Sequence, residues 1–182
     1  MKTFGAVLGV VGVVLVLHVA APPQASAAQI IPSVGLSKSV DSDDTNKSVG
    51  LAFRGSLIPR VLKAEIAGSY RSEEHFDGDL KLKMWPITTS LLLAPIPNIY
   101  GLAGVGWYQT TFDYADETLL EDETKGEFGV HVGGGLTIPI APSAGIDLNG
   151  RYVMMQDQES KLVPEKFDPD FWNLSLGLAL GF

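Results

Sequence analysis

No cysteine occurs among the 182 residues. That absence excludes a disulfide scaffold, a thiolate metal site, a cysteine nucleophile and a lipid-modified lipoprotein N-terminus. Basic residues are also scarce: 13 Lys+Arg stand against 21 Asp+Glu, a formal charge of −8. A nucleic-acid partner needs a basic surface to neutralise phosphate, so no nucleic acid is expected. Long apolar runs are confined to the first 27 residues, and beyond them no stretch of about 18 apolar residues could form a spanning helix. Yet 46% of the residues are hydrophobic and mean hydropathy is +0.18, high for an acidic chain. Apolar and charged residues must therefore be finely segregated, and the period of that segregation carries the reading.

Met1–Ala27 reads as a leader rather than as part of the fold. Lys2 supplies a positive start, Phe4 to Ala21 is almost unbroken in its apolarity, and Pro22-Pro23 ends any helix. Ala25-Ser26-Ala27 then matches the small-x-small pattern of a cleavage site. An uncleaved anchor is the rival, and a helix-breaking proline pair before the small residues argues against it. The expectation is a signal peptide over 1–27, export, and a single domain over 28–182.

The last segment shows the period most clearly. In Trp172–Phe182 the even positions are Trp172, Leu174, Leu176, Leu178, Leu180 and Phe182, while the odd ones are Asn173, Ser175, Gly177, Ala179 and Gly181. Strict alternation is the mark of a strand. One face is large and apolar, the other small or weakly polar. Val49–Leu57, Leu62–Tyr70, Phe128–Ile138 and Ile146–Met154 repeat the scheme, and in each the charges share the face of the small residues. A soluble sandwich would expose its charges opposite the apolar face, whereas a membrane barrel turns the bulky face to lipid and crowds the other into a lumen. Ile30–Val40, Asp79–Leu93 and Asn98–Asp113 are less regular and complete a count of eight. Trp85-Pro86 should bring a bulge or a change of phase, since proline donates no ladder hydrogen bond. The Gly-rich Asn98–Asp113 can be read in either phase.

The connections alternate in kind. Ile58–Arg60, Pro95–Pro97 and Ala141–Ser143 are short and Pro-rich, whereas Asp41–Lys47, Ser72–Gly78, Ala115–Gly126 and Asp157–Asp170 are longer and polar. Short turns at one end and long loops at the other are the expected asymmetry of a transmembrane barrel. An aromatic girdle would then comprise Tyr70, Trp107, Tyr108, Tyr152, Phe171 and Trp172 at the loop end, with Tyr100 and Phe182 at the turn end.

On these segments the chain resembles the small eight-stranded bacterial outer-membrane proteins of the OmpA/OmpX/OmpW type, over Gln29–Phe182. The sharpest element is the closing strand Asn173-Leu-Ser-Leu-Gly-Leu-Ala-Leu-Gly-Phe182. The resemblance implies an antiparallel up-and-down barrel in the outer membrane, surrounded by lipid and lipopolysaccharide. It also implies that Phe182 matches the C-terminal aromatic read by the barrel-assembly machinery. No peptidoglycan-binding domain is expected, no cofactor is implied, and a monomer is expected.

Eight strands enclose an interior just wide enough for side chains to fill. Charge buried there must pair. With Leu57 opposite Leu62, Arg54 falls opposite Glu65 and Phe53 opposite Ile66, so an Arg54–Glu65 lumen ion pair is expected. Lys63, Lys81, Lys83, Glu127, His131, Asp147 and Arg151 are further lumen candidates. Such a network argues against a wide aqueous pore.

Other motifs dissolve on inspection. Asp41-Ser-Asp43-Asp44-Thr-Asn46 lacks the Gly at position six and the Glu at position twelve of a calcium loop. The acids from Asp113 to Glu127 read as a solvated, self-repelling loop, and no metal site is expected. Gly133-Gly134-Gly135 has no following Lys-Ser/Thr and no helix to hold a phosphate. A resemblance to lipid A deacylases would require a serine two residues after a histidine, but Asp77 and Gly133 follow His75 and His131. No catalytic residue is expected.

The sequence thus supports a non-enzymatic outer-membrane barrel with a structural or surface-interaction role through acidic extracellular loops. A narrow OmpW-like, porin-like channel for small hydrophobic solutes is the alternative. A periplasmic lipocalin-like barrel, with its apolar face turned inward to a ligand, is a third.

Overall fold

The computed structural model describes residues 28–40, 45–75, 80–114, 123–155 and 169–181. Residues 1–27, where a signal peptide is expected, parts of the four polar connections and Phe182 lie outside them, as do most of the loop acids. Eight strands follow one another: β1 (Ala28–Ser39), β2 (Thr45–Ile58), β3 (Leu62–His75), β4 (Leu80–Ile96), β5 (Ile99–Tyr114), β6 (Glu123–Ala141), β7 (Ala144–Met155) and β8 (Phe171–Gly181). Each pairs antiparallel with its neighbours in sequence, and β8 returns to β1 to close the barrel. Closure leaves no free sheet edge. Among the described residues no helix is long and apolar enough to cross a membrane.

The two-residue period fixes which face each side chain takes. On β8, Leu174 and Leu176 are about half exposed, whereas Ser175 and Gly177 turn inward and are partly covered. Val49, Leu51 and Phe53 on β2, Ile87, Leu91 and Leu93 on β4, and Phe128, Val130 and Val132 on β6 also face out. The lipocalin-like reading needs the large aliphatic rows turned inward around a ligand, and in the closed barrel they face outward. The lipocalin-like alternative is thereby excluded.

Three turns are tight: Pro59 to Val61, Pro97-Asn98 and Pro142-Ser143. Arg60 and Asn98 carry positive φ of 66° and 68°, which lets the chain reverse in so few residues. The Arg60 turn displaces the register, so that a bulge between Ser56 and Ile58 puts Ile58, not Leu57, opposite Leu62. Above the bulge Arg54 lies opposite Glu65 and Phe53 opposite Ile66. Toward the polar connections the strands run further than the apolar alternation does: β3 reaches His75 and β6 begins at Glu123. Backbone pairing continues there on polar residues, which carry no alternation to read.

Pro86 brings neither bulge nor change of phase. Gly68 pairs with Ile87 and Arg71 with Met84, so the β3–β4 register is the same on both sides of it. One missing N–H interrupts the ladder locally without requiring an extra residue. In β4 the inward row is Met84, Pro86, Thr88, Ser90 and Leu92, and in β5 it is Tyr100, Leu102, Gly104, Gly106, Tyr108 and Thr110.

Two apolar layers fill the interior. Leu92, Tyr100 and Leu102, with Ala94, lie near the turn end. Met84, Tyr108, Val153 and Phe171, with Met155, lie near the loop end.

Candidate functional site

Between these layers sits the polar centre of the barrel. Arg54, projecting inward from β2, is 3% exposed. Its Nε and Nη2 donate to Glu65 Oε2 of β3 at 2.9 and 2.7 Å. Its Nη1 donates across the lumen to Asp147 Oδ1 of β7 at 2.9 Å. Asp147 also accepts from Tyr100 Oη and Thr137 Oγ1, both at 2.8 Å. Arg151 closes the circuit: it donates to Glu65 Oε1 and, through Nε, to Asn149 Oδ1 at 2.8 Å. Asn149 Nδ2 in turn donates to Tyr100 Oη at 3.0 Å.

Every carboxylate oxygen of the cluster has a donor, and two arginines balance two acids. This completeness matters because an ion pair in a low-dielectric interior is tolerable only when its remaining polar atoms are satisfied. Strands β2, β3, β5, β6 and β7 all contribute, so the cluster spans the lumen like a crossbar. Tyr100 anchors it twice, by its hydroxyl and by its ring, whose centroid lies 4.7 Å from Arg54 Cζ.

Glycines make room for the inward aromatics. A Cβ on Gly135 would come 2.5 Å from Tyr100 Oη, and one on Gly106 would meet the Tyr108 ring at 2.9 Å. Above the crossbar lies a cavity of about 90 Å³, bordered by Arg54, Glu65, Ala52, Asn173, Tyr108 and Phe171. Arg71 covers its loop end, with Cζ 3.8 Å from the Phe171 ring centroid. The interior thus stacks an apolar layer, a charged crossbar, a small cavity and an aromatic cap.

The remaining lumen candidates divide. Lys63 and Glu127 lie half-buried on inward rows. His131 is buried, with Nε2 2.8 Å from Ser90 Oγ. Its Nδ1 has no partner among the described residues, so the pair lacks the acid that orients the histidine of a nucleophilic triad. Lys83 takes the outward row of β4, alongside Trp85 and Ile87, and is not a lumen residue. Lys81 lies opposite Glu74 and Asp113 in the register and outside the residues whose side chains are described.

The girdle needs a similar correction. Tyr100, Tyr108 and Phe171 point inward, because strand neighbours alternate: Trp107 and Trp172 face out, so Tyr108 and Phe171 cannot. The outward aromatics form pairs instead. Tyr152 and Trp172 have ring centroids 4.6 Å apart, and Tyr70 meets Trp85 at 4.4 Å. Trp85 and Phe128 were missed from the sequence, though the parity of their strands would have found them. Tyr100, Thr137 and Asn149 were missed as members of the crossbar. Asn149 shares the β7 parity of Asp147 and Arg151, and that was its signal.

Residues 11–182 match the family model of the outer membrane protein β-barrel domain. Among solved structures the chain is similar to Ail, the attachment invasion locus protein of Yersinia pestis, with a TM-score of 0.57 and 16% identity over 87% of this chain and 100% of that one. It is similar to Neisserial surface protein A, with a TM-score of 0.57 and 13% identity over 85% and 96%. It is also similar to the outer membrane protein OprG from Pseudomonas aeruginosa, with a TM-score of 0.54 and 15% identity over 88% and 98%. At these identities the likeness is one of fold. No curated protein matches the sequence.

Proposed function

Because the chain belongs to the outer membrane protein β-barrel family and resides in the bacterial outer membrane, we propose that it works there as a sealed, non-enzymatic barrel. Its role is structural or surface-interacting, exercised through the acidic extracellular loops. One observation carries the reading: Arg54 holds Glu65 on the adjoining strand and Asp147 across the lumen at once, so the bore is crossed by a closed ionic circuit. Opening a path would require parting buried charges, which costs several kcal/mol per ion left unpaired. The barrel-assembly machinery would insert the chain, and lipopolysaccharide would surround it as a monomer.

A narrow conduit for small, apolar solutes is the second reading, favoured by the cavity of about 90 Å³ directly above the crossbar. Solute flux into proteoliposomes separates the two. The sealed reading expects vesicles containing the barrel to exclude small sugars and small apolar alcohols at the rate of protein-free vesicles. Faster entry that is abolished by filling the cavity, as with Ala52→Phe, supports the conduit and refutes the seal.

A further inference from the structure

A buried hydroxyl at the cavity above the crossbar has nothing to bind. Tyr108 is 1% exposed, and its Oη has no hydrogen-bond partner among the described residues. A buried phenol ordinarily finds one. The Tyr108 ring leans toward the turn end, over Gly106 and Gly129, where an added Cβ would meet its Cε2 at 2.9 and 2.8 Å. That tilt carries the hydroxyl down toward the crossbar and the cavity that Tyr108 borders. Arg151 acts on it electrostatically from the crossbar side.

What the crossbar leaves to the cavity is mainly donors. Both oxygens of Glu65 and of Asp147, and Asn149 Oδ1, already accept hydrogen bonds within the circuit. Arg151 uses its Nε and Nη2 there, while Nη1 takes no part and 16% of the side chain stays exposed. An occupant must therefore bring an acceptor. Ser33 of β1 and Ser69 of β3 border the same space with hydroxyls, which accept as well as donate. No net charge calls for a counter-ion. Arg54 and Arg151 balance Glu65 and Asp147, Arg71 is stacked on Phe171, and Glu127 stands opposite Tyr108 in the register. Pro86, Val153 and the Phe171 ring supply apolar wall. A cavity lined with polar groups does not stay dry, and since roughly 150 Å³ admits benzene, this one suits a molecule of about four heavy atoms.

We propose that the cavity of about 90 Å³ is a binding site for a small neutral carbonyl compound of the amide or urea class. Arg151 Nη1 and Tyr108 Oη donate to its carbonyl oxygen, and the hydroxyls of Ser33 and Ser69 accept from its N–H groups. The crossbar closes the turn end of the cavity, so the ligand enters past the Arg71–Phe171 stack. Occupancy does not require passage, and the site stands whether or not the barrel conducts.

The test uses the whole barrel folded in deuterated detergent micelles, with acetamide as the probe and acetate as its charged isostere. The readout is saturation transfer from the barrel to the methyl protons of the probe, followed as a titration. Acetamide should give a saturable signal and acetate should bind more weakly. Tyr108→Phe, which removes one oxygen and keeps the ring, should weaken acetamide by about tenfold, the order of one hydrogen bond. Ala52→Phe, which fills the cavity, should abolish the signal, and Lys63→Gln, on the turn-end side of the crossbar, should keep it. A cavity that holds water alone gives no saturable signal, and that result overturns the site. Equal acetamide binding in Tyr108→Phe overturns it too, as does acetate bound as tightly as acetamide. If Ala52→Phe does not fold, Tyr108→Phe and the comparison of the two probes decide.

Discussion

Arg54 and Asp147 are 93 positions apart in sequence, yet Arg54 Nη1 donates to Asp147 Oδ1 at 2.9 Å in the middle of the barrel. The two strands that carry them, β2 and β7, are not neighbours, so this contact joins opposite walls. Tyr100 and Thr137 bind the same carboxylate, and Glu65 and Arg151 complete the charge balance.

Asp147→Asn should therefore be costly. It leaves Arg54 and Arg151 sharing the single carboxylate of Glu65, and a loss of about 3–5 kcal/mol is expected for breaking a buried pair. Arg54→Met combined with Asp147→Leu should cost less than Asp147→Asn alone, because the remaining Arg151–Glu65 pair is neutral. Urea unfolding in lipid vesicles measures both. A double variant as unstable as the sum of its singles would refute the coupling.

Gly106→Ala should destabilise by roughly 1–3 kcal/mol, the usual cost of overpacking a filled interior. The added Cβ would meet Thr88 Cγ2 at 2.8 Å and the Tyr108 ring at 2.9 Å. Trimming the ring with Tyr108→Leu in the same chain should recover part of the loss, as read from the shift in thermal midpoint.

All three tryptophans of the chain, Trp85, Trp107 and Trp172, face outward and are about half exposed. Their fluorescence should be quenched by brominated acyl chains and shielded from aqueous acrylamide. Emission quenched by acrylamide instead would place these rings in water.

Leu176 lies midway along β8 on the outward row, and Gln109 lies near the loop end of β5 on the same face. Leu176→Arg should cost about 2–4 kcal/mol and Gln109→Arg about 0–1, following the depth dependence of charge on a lipid-facing wall. Equal costs in reversible unfolding from vesicles would contradict the placement.

Strand count, closure and the outward face were legible because a two-residue period survives wherever lipid and lumen make opposite demands. Arg54 opposite Glu65 follows from that period and one tight turn. Asp147 opposite Arg54 does not, because no sequence pattern says how β7 faces β2 across a barrel. The phase of β5 was hidden by its glycines, which pattern neither face until Tyr100 and Tyr108 are seen to occupy the space they leave. Without that phase Tyr108 looks interfacial, and β4, left ambiguous by Pro86, lends Lys83 to the wrong side. Phe171 is a different lesson: its neighbour Trp172 already claimed the outer row, so alternation alone assigns it to the cap.

The most direct test of the sealed lumen is single-channel recording in planar bilayers of the wild type beside the Arg54→Ala/Glu65→Ala/Asp147→Ala variant. The wild type should give no stable openings, and the variant, with its crossbar removed, should give discrete conductance steps. Stable wild-type openings that the triple substitution leaves unchanged would show that ions pass by another route, and the account of the lumen would fail.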